Sequence, residues 1–143
     1  MSETEAKYQK LLSELRLSED QLSDVQSRLE IISSQIQEHI NAGATMNNLK
    51  DEQGREALIP IGAQVYIRGS VSDTSRVLIG LGAGISVEKT VDSANAELQS
   101  RIANMQKIIV SLRDEYAKLA EKVSTLRAQL GDTAQQILKD RDK

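Results

Sequence analysis

The chain opens and closes with long apolar repeats of alternating three- and four-residue spacing, and a short stretch broken by glycines lies between them. In the first repeat the apolar positions are Tyr8, Leu11, Leu15, Leu22, Val25, Leu29, Ile32 and Ile36. In the second they are Leu98, Ile102, Met105, Ile109, Leu112, Tyr116, Leu119, Val123, Leu126 and Leu130. A stripe this narrow is a seam for one other helix, whereas a helix lying on a globular core carries a wider apolar face. Neither arm contains proline, as an uninterrupted helix requires.

In heptad register, Tyr8, Leu15, Leu22, Leu29 and Ile36 share one core position, and Leu11, Ser18, Val25, Ile32 and His39 share the other. The second arm alternates Ile102, Ile109, Tyr116, Val123, Leu130 and Ile137 with Leu98, Met105, Leu112, Leu119, Leu126 and Thr133. Acid-first pairs at helical spacing, such as Glu97–Arg101 and Asp114–Lys118, add modest support. A helix over residues 3–42 is roughly 60 Å long at about 1.5 Å per residue. Alone in water it leaves its stripe wet, so it needs a partner. The nearest partner is the other arm, and a chain that reverses through its middle pairs the two antiparallel. The expected fold is α+β and mainly α: a long antiparallel two-helix coiled coil with two central β-hairpins. It forms one domain over 1–143, with helices in 1–47 and 91–143 and the hairpins in 57–90.

Gly43, close to Met46-Asn47-Asn48, marks the expected end of the first helix. Ser18 reads as a tolerated weak spot in the seam. His39, the single histidine, reads as a partly buried polar residue and not as a metal ligand. Each arm widens its stripe once, at Ile31-Ile32 and at Ile108-Ile109-Val110. Two readings stand: extra packing, within the coil or against a neighbouring subunit, or stray apolar residues on a long coil.

In the middle the rhythm changes. Ala57-Leu58-Ile59-Pro60-Ile61-Gly62-Ala63 is apolar and carries the one proline, which suits an edge strand. Val65 and Ile67 alternate with Gln64, Tyr66 and Arg68, as in a half-buried strand. Ser72-Asp73-Thr74-Ser75 is a polar turn. Arg76–Leu81 is a third strand, Gly82-Ala83-Gly84 a tight turn, and Ile85–Lys89 a fourth strand. Two hairpins in series result. Isolated hairpins are marginal in water and their edges are open. The strands are therefore expected to complete a sheet or barrel with other chains, making the protein an obligate oligomer. Its assembly residues are Ile59, Ile61, Val65, Ile67, Val77, Ile79, Leu81, Ile85 and Val87.

Composition narrows the function. Aromatics are 2% of residues, with no Phe and no Trp, so ordinary globular core material is scarce. Cysteine is absent, which removes disulfides and thiolate metal sites. The net charge of −3 is distributed as −4 over residues 1–47, zero over 48–90 and +1 over 91–143. No segment carries the basic stripe of a nucleic-acid binder. No segment nears the roughly 20 apolar residues of a membrane span. Met1-Ser2-Glu3-Thr4-Glu5 lacks the features of a signal peptide, and the expected location is the cytoplasm. The glycines of Gly80–Gly84 do not make a dinucleotide fingerprint, because Ile85 and Val87 stand where the third glycine is needed. No catalytic residue, metal or cofactor is expected.

Leu58-Ile59-Pro60-Ile61-Gly62-Ala63, followed by Asp73-Thr74-Ser75 and Gly82-Ala83-Gly84-Ile85, resembles the double-hairpin signature of the archaeal-type prefoldin alpha subunit. The beta-type subunits of that family have one hairpin, so four strands favour the alpha type. The resemblance implies a chaperone that works without ATP. In the family, two alpha and four beta subunits build a barrel-like platform from which coiled coils hang. Their free ends hold unfolded proteins and pass them to a group II chaperonin. Both termini here lie at the end of the arms away from the hairpins, where a coil lacking neighbours frays. There Tyr8, Leu11, Leu12 and Leu15, with Leu126, Leu130, Ile137 and Leu138, are the candidate client-binding residues. Leu12 and Leu138 lie off the strict seam and are the better candidates. Weak patches repeated over one assembly gain by multivalency. A second hypothesis stands beside this one: a structural spacer or filament-forming subunit whose hairpins polymerise and whose arms only tether.

Overall fold

A computed structural model describes residues 2–142. The elements run α1 (Glu3–Leu49), β1 (Glu56–Gly62), β2 (Val65–Ser70), β3 (Arg76–Gly82), β4 (Ile85–Thr90) and α2 (Val91–Arg141). Both helices begin on a side-chain cap. The Ser2 hydroxyl accepts from the Glu5 amide at 3.2 Å, and Thr90 Oγ1 accepts from the Ser93 amide at 3.2 Å, each covering a donor that the first turn leaves free. Glu3 and Glu5 in one first turn and Asp92 in the other sit against the positive end of the helix dipole.

The chain forms two compact units, Ser34–Gln106 and the described residues on either side of it. In the unit that holds the chain ends, α1 and α2 run antiparallel, with Glu19 Oε1 accepting from Arg127 Nη2 at 3.0 Å. Leu15, Val123 and Leu126 form its buried cluster, with Leu11, Leu22 and Leu130 packed against it. Every heptad position named above that falls in this unit is buried or half-buried. Ile31, Ile108 and Val110, the residues that widen the stripe, are exposed. Their exposure favours a neighbouring subunit, or no packing role, over extra packing within the coil.

The Ser34–Gln106 unit holds the hairpins. Here the helices are tied by Asn95 Nδ2 donating to Asn47 Oδ1 at 3.0 Å and by Lys50 with Asp92 at 3.8 Å. Gly43 does not end the first helix, which continues to Leu49. It lies inside the helix, where a Cβ would stand 3.4 Å from Asn95 Oδ1, about van der Waals contact, so an alanine has room. The end of α1 is finished from a distance, by Thr74 Oγ1 donating to the Lys50 carbonyl at 2.9 Å. Thr74 is held in place by an Asx turn: Asp73 Oδ1 accepts from the Ser75 amide at 2.8 Å and its hydroxyl at 2.6 Å. Those two donors, the hydroxyl first, hold the Asp73 carboxyl below its ordinary value of 3.8.

Two separate antiparallel two-stranded sheets form, β1 with β2 and β3 with β4. They are copies of one another, offset by 20 residues. Leu58 faces Arg68 as Leu78 faces Glu88, Ile59 faces Ile67 as Ile79 faces Val87, and the register slips at Gly62 as it does at Gly82. The turns repeat too, with positive φ at Gly62, Ala63 and Gln64 and again at Gly82, Ala83 and Gly84. These are hairpin turns whose left-handed residues match the twist of the strands. The glycine run that invites a phosphate-binding reading is one of them.

Candidate interaction surfaces

No catalytic constellation stands out, and among the described residues no group of acids and histidine is placed to hold a metal ion. His39 is half-buried, with Nδ1 2.7 Å from the Gln35 carbonyl of its own helix. What the molecule offers is apolar surface, in two places.

The first is at the chain ends. Tyr8 from the second turn of α1 and Ala134, Ile137 and Leu138 from the last turns of α2 line an open cleft of about 450 Å³. Glu5 and Arg141, 4.0 Å apart, stand on its border. The cleft exists because the seam runs out: Ile137 is the last heptad residue of α2, and Leu138, on the flank, is 61% exposed. The eight candidate client-binding residues fall into three groups. Leu15 and Leu126 are sealed in the buried cluster, reachable only if the coil opens. Tyr8, Leu11, Leu12, Leu130 and Ile137 are half-buried. Leu138 lies open. Leu17, exposed on the same unit, is an apolar residue that heptad reasoning passes over because it lies off the seam.

The second place is the hairpins. Of the nine candidate assembly residues, Ile59, Ile61, Val65, Ile67, Leu81 and Ile85 are exposed, and Leu58, Tyr66 and Leu78 beside them are exposed as well. Val77 and Val87 are half-buried and Ile79 is buried. Ile79 and Val77 line one small pocket with Ala42, Met46, Ala94 and Leu98 of the helices, and Arg101 Nη2 donates to the Gly80 carbonyl at 2.6 Å. The second hairpin therefore spends one face on this chain's own helices, which strand alternation alone does not reveal. Apolar residues this numerous on a small exposed sheet mark an interaction surface.

A family model described as prefoldin subunit matches residues 18–136, which take in the hairpins and most of both helices. The chain belongs to the prefoldin family. Among curated relatives, prefoldin subunit alpha of Pyrobaculum aerophilum is 34% identical over 122 residues, covering 85% of this chain and 91% of the relative. Prefoldin subunit alpha of Methanobrevibacter smithii is 28% identical over 135 residues, covering 94% and 90%. A cryo-EM structure of filamentous PFD from Methanocaldococcus jannaschii superposes with a TM-score of 0.70 at 22% identity, over 80% of this chain and 95% of that one. At that identity the likeness is one of fold. Prefoldin subunits are chaperone subunits that work within oligomers, and this prefoldin chain has two long helices and two hairpins. No described helix is long and apolar enough to cross a membrane.

Proposed function

We propose that the chain is an alpha-type subunit of a cytoplasmic, ATP-independent holdase, which keeps unfolded proteins from aggregating and hands them to a group II chaperonin. It acts as a single domain. Its hairpin segment, 57–90, joins beta-type subunits, two alpha to four beta, in a barrel-like platform. Its chain ends hold the client. The observation that carries this reading is the open apolar cleft at Tyr8, Ile137 and Leu138, with Leu138 at its edge. An unfolded segment offers apolar side chains without a fixed sequence. A shallow open cleft takes them weakly, and several copies on one particle hold them by multivalency. The relatives carrying the name prefoldin subunit alpha and the presence of a second hairpin support the alpha assignment.

Removal of residues 1–15 and 127–143 tests the reading. The truncated chain is expected to assemble with a beta-type subunit but to lose suppression of client aggregation. Retained suppression contradicts client holding at the ends. A filament-forming subunit is the second reading, supported by hairpins whose four strands are all edges. Electron microscopy of the chain alone, then with a beta-type partner, separates the two: closed particles support the first and open fibres the second.

A further inference from the structure

The duplication makes each hairpin a template for the other, yet the two are used unequally. In β3–β4 the face bearing Val77, Ile79 and Val87 is turned to the helices. Ile79 is 8% exposed, beside Ala94 and Leu98. Arg101 closes the edge on the Gly80 carbonyl, and Lys89 reaches Glu97 at 3.9 Å. The equivalent face of β1–β2 bears Ala57, Ile59 and Ile67, and there Ile59 is 45% exposed. The opposite faces are open in both, at Leu58 and at Leu78. One copy of a repeated element thus has a helix seat for its inner face, and the other copy has none.

Two local features show what that seat requires. The acceptor corresponding to the Gly80 carbonyl is the Pro60 carbonyl. Within a strand the N–H and C=O of one residue point to the same side, and proline is tolerated where that side faces away from the partner strand. The Pro60 carbonyl is therefore an outward acceptor with no adjacent donor of its own, suited to a side-chain guanidinium. At the position of Lys89 the first hairpin has Gly69. A Cβ there would come 2.5 Å from Ile59 Cδ1, so the Ile59 side chain lies over the glycine and presents an apolar surface with no charge to match.

We infer that β1–β2 docks in trans as β3–β4 docks in cis. Its Ala57–Ile59–Ile67 face seats on the first turns of a helix in a neighbouring, different subunit. That helix offers a small residue, a large aliphatic residue four positions on, and an arginine three beyond it that donates to the Pro60 carbonyl, the pattern of Ala94, Leu98 and Arg101 here. The occupant is a different chain, because in a second copy the seat is already filled by that copy's own β3–β4. The outer faces, at Leu58 and Leu78, are left for contacts between hairpins. This inference rests on the reading of 57–90 as the assembly segment and names the partner's element.

The test uses the full chain co-expressed with a beta-type prefoldin subunit, with a photoreactive phenylalanine analogue at position 59 or, as the opposite-face control, at position 58. Crosslinked peptides are mapped by mass spectrometry, and assembly of Ile59→Ser and Leu58→Ser is measured alongside. Position 59 is expected to mark the opening turns of a partner helix and position 58 not to, and Ile59→Ser to weaken assembly about tenfold or more, as loss of a buried isoleucine implies. Links from 59 to a partner hairpin, or to a second copy of this chain, overturn the helix seat while leaving assembly through 57–90 intact. If neither serine variant weakens assembly and neither position crosslinks, the assembly reading falls with it.

Discussion

Ser18 offers a sharp energetic test of the seam. It is 1% exposed at a heptad position, and its hydroxyl has no hydrogen-bond partner. A serine or threonine in a helix usually folds its hydroxyl onto the carbonyl four residues back, as Thr133 Oγ1 does to Gln129 at 2.7 Å. A buried hydroxyl without a partner costs about 1–3 kcal/mol. Replacement by alanine removes that cost and adds a few tenths of a kcal/mol of helix propensity, against the loss of one atom's packing. We expect Ser18→Ala to stabilise the coil by about 1–2 kcal/mol, or about 2–8 °C in Tm for a chain of this size. Circular dichroism at fixed protein concentration reads the change, since assembly makes Tm concentration-dependent. Thr133→Ala, which breaks a satisfied bond and removes a methyl group, is the control and is expected to lower Tm. An unchanged or lowered Tm for Ser18→Ala refutes the reasoning, because it means that the hydroxyl has found a partner, such as water, inside the seam.

Gly43→Ala is expected to raise stability by about 0.5–1 kcal/mol, the cost of a glycine inside a helix, with Asn95 yielding slightly; chemical denaturation checks it. Gly82→Val puts a β-branched residue at φ +99 and should cost about 1–3 kcal/mol, seen as faster amide exchange confined to β3–β4. The lowered pKa of Asp73 has a definite sign. A carboxylate held below its ordinary value stabilises the loop above that value and loses the contribution as pH falls through the depressed one. An NMR titration of Asp73 is therefore expected to show a midpoint below 3.8, moving upward in Ser75→Ala.

The coiled coil was legible because its signal is dense: a seam of period 3.5 recurs down both arms, and Leu98, Ile102, Ile109, Leu112, Val123 and Leu126 are buried as that period requires. The second hairpin was legible from Gly82-Ala83-Gly84, whose φ angles are in fact positive, whereas the equivalent turn at Gly62, Ala63 and Gln64 was hidden inside stretches that read as strand. Gly43 misled because a helix tolerates an interior glycine at a cost of about 1 kcal/mol, and α1 simply runs through it to Leu49. The caps at Ser2 and Thr90 were readable, Ser2 with Glu5 forming the opening of a capping box. The 20-residue duplication was also in plain view, but only on aligning Leu58–Ala63 with Leu78–Ala83. The unequal use of the two hairpins was hidden, since it depends on Arg101 reaching Gly80, a contact that no strand pattern encodes.

The central claim, that client is held at the cleft formed by the chain ends, can be read at a single position. The chain has no cysteine, so Leu138→Cys in the assembled complex accepts one environment-sensitive dye at the cleft, and Gln53→Cys carries the same dye beside the hairpins. Addition of an unfolded client is expected to shift emission to the blue at position 138 and leave position 53 unchanged. A shift at 53 with none at 138 contradicts the account.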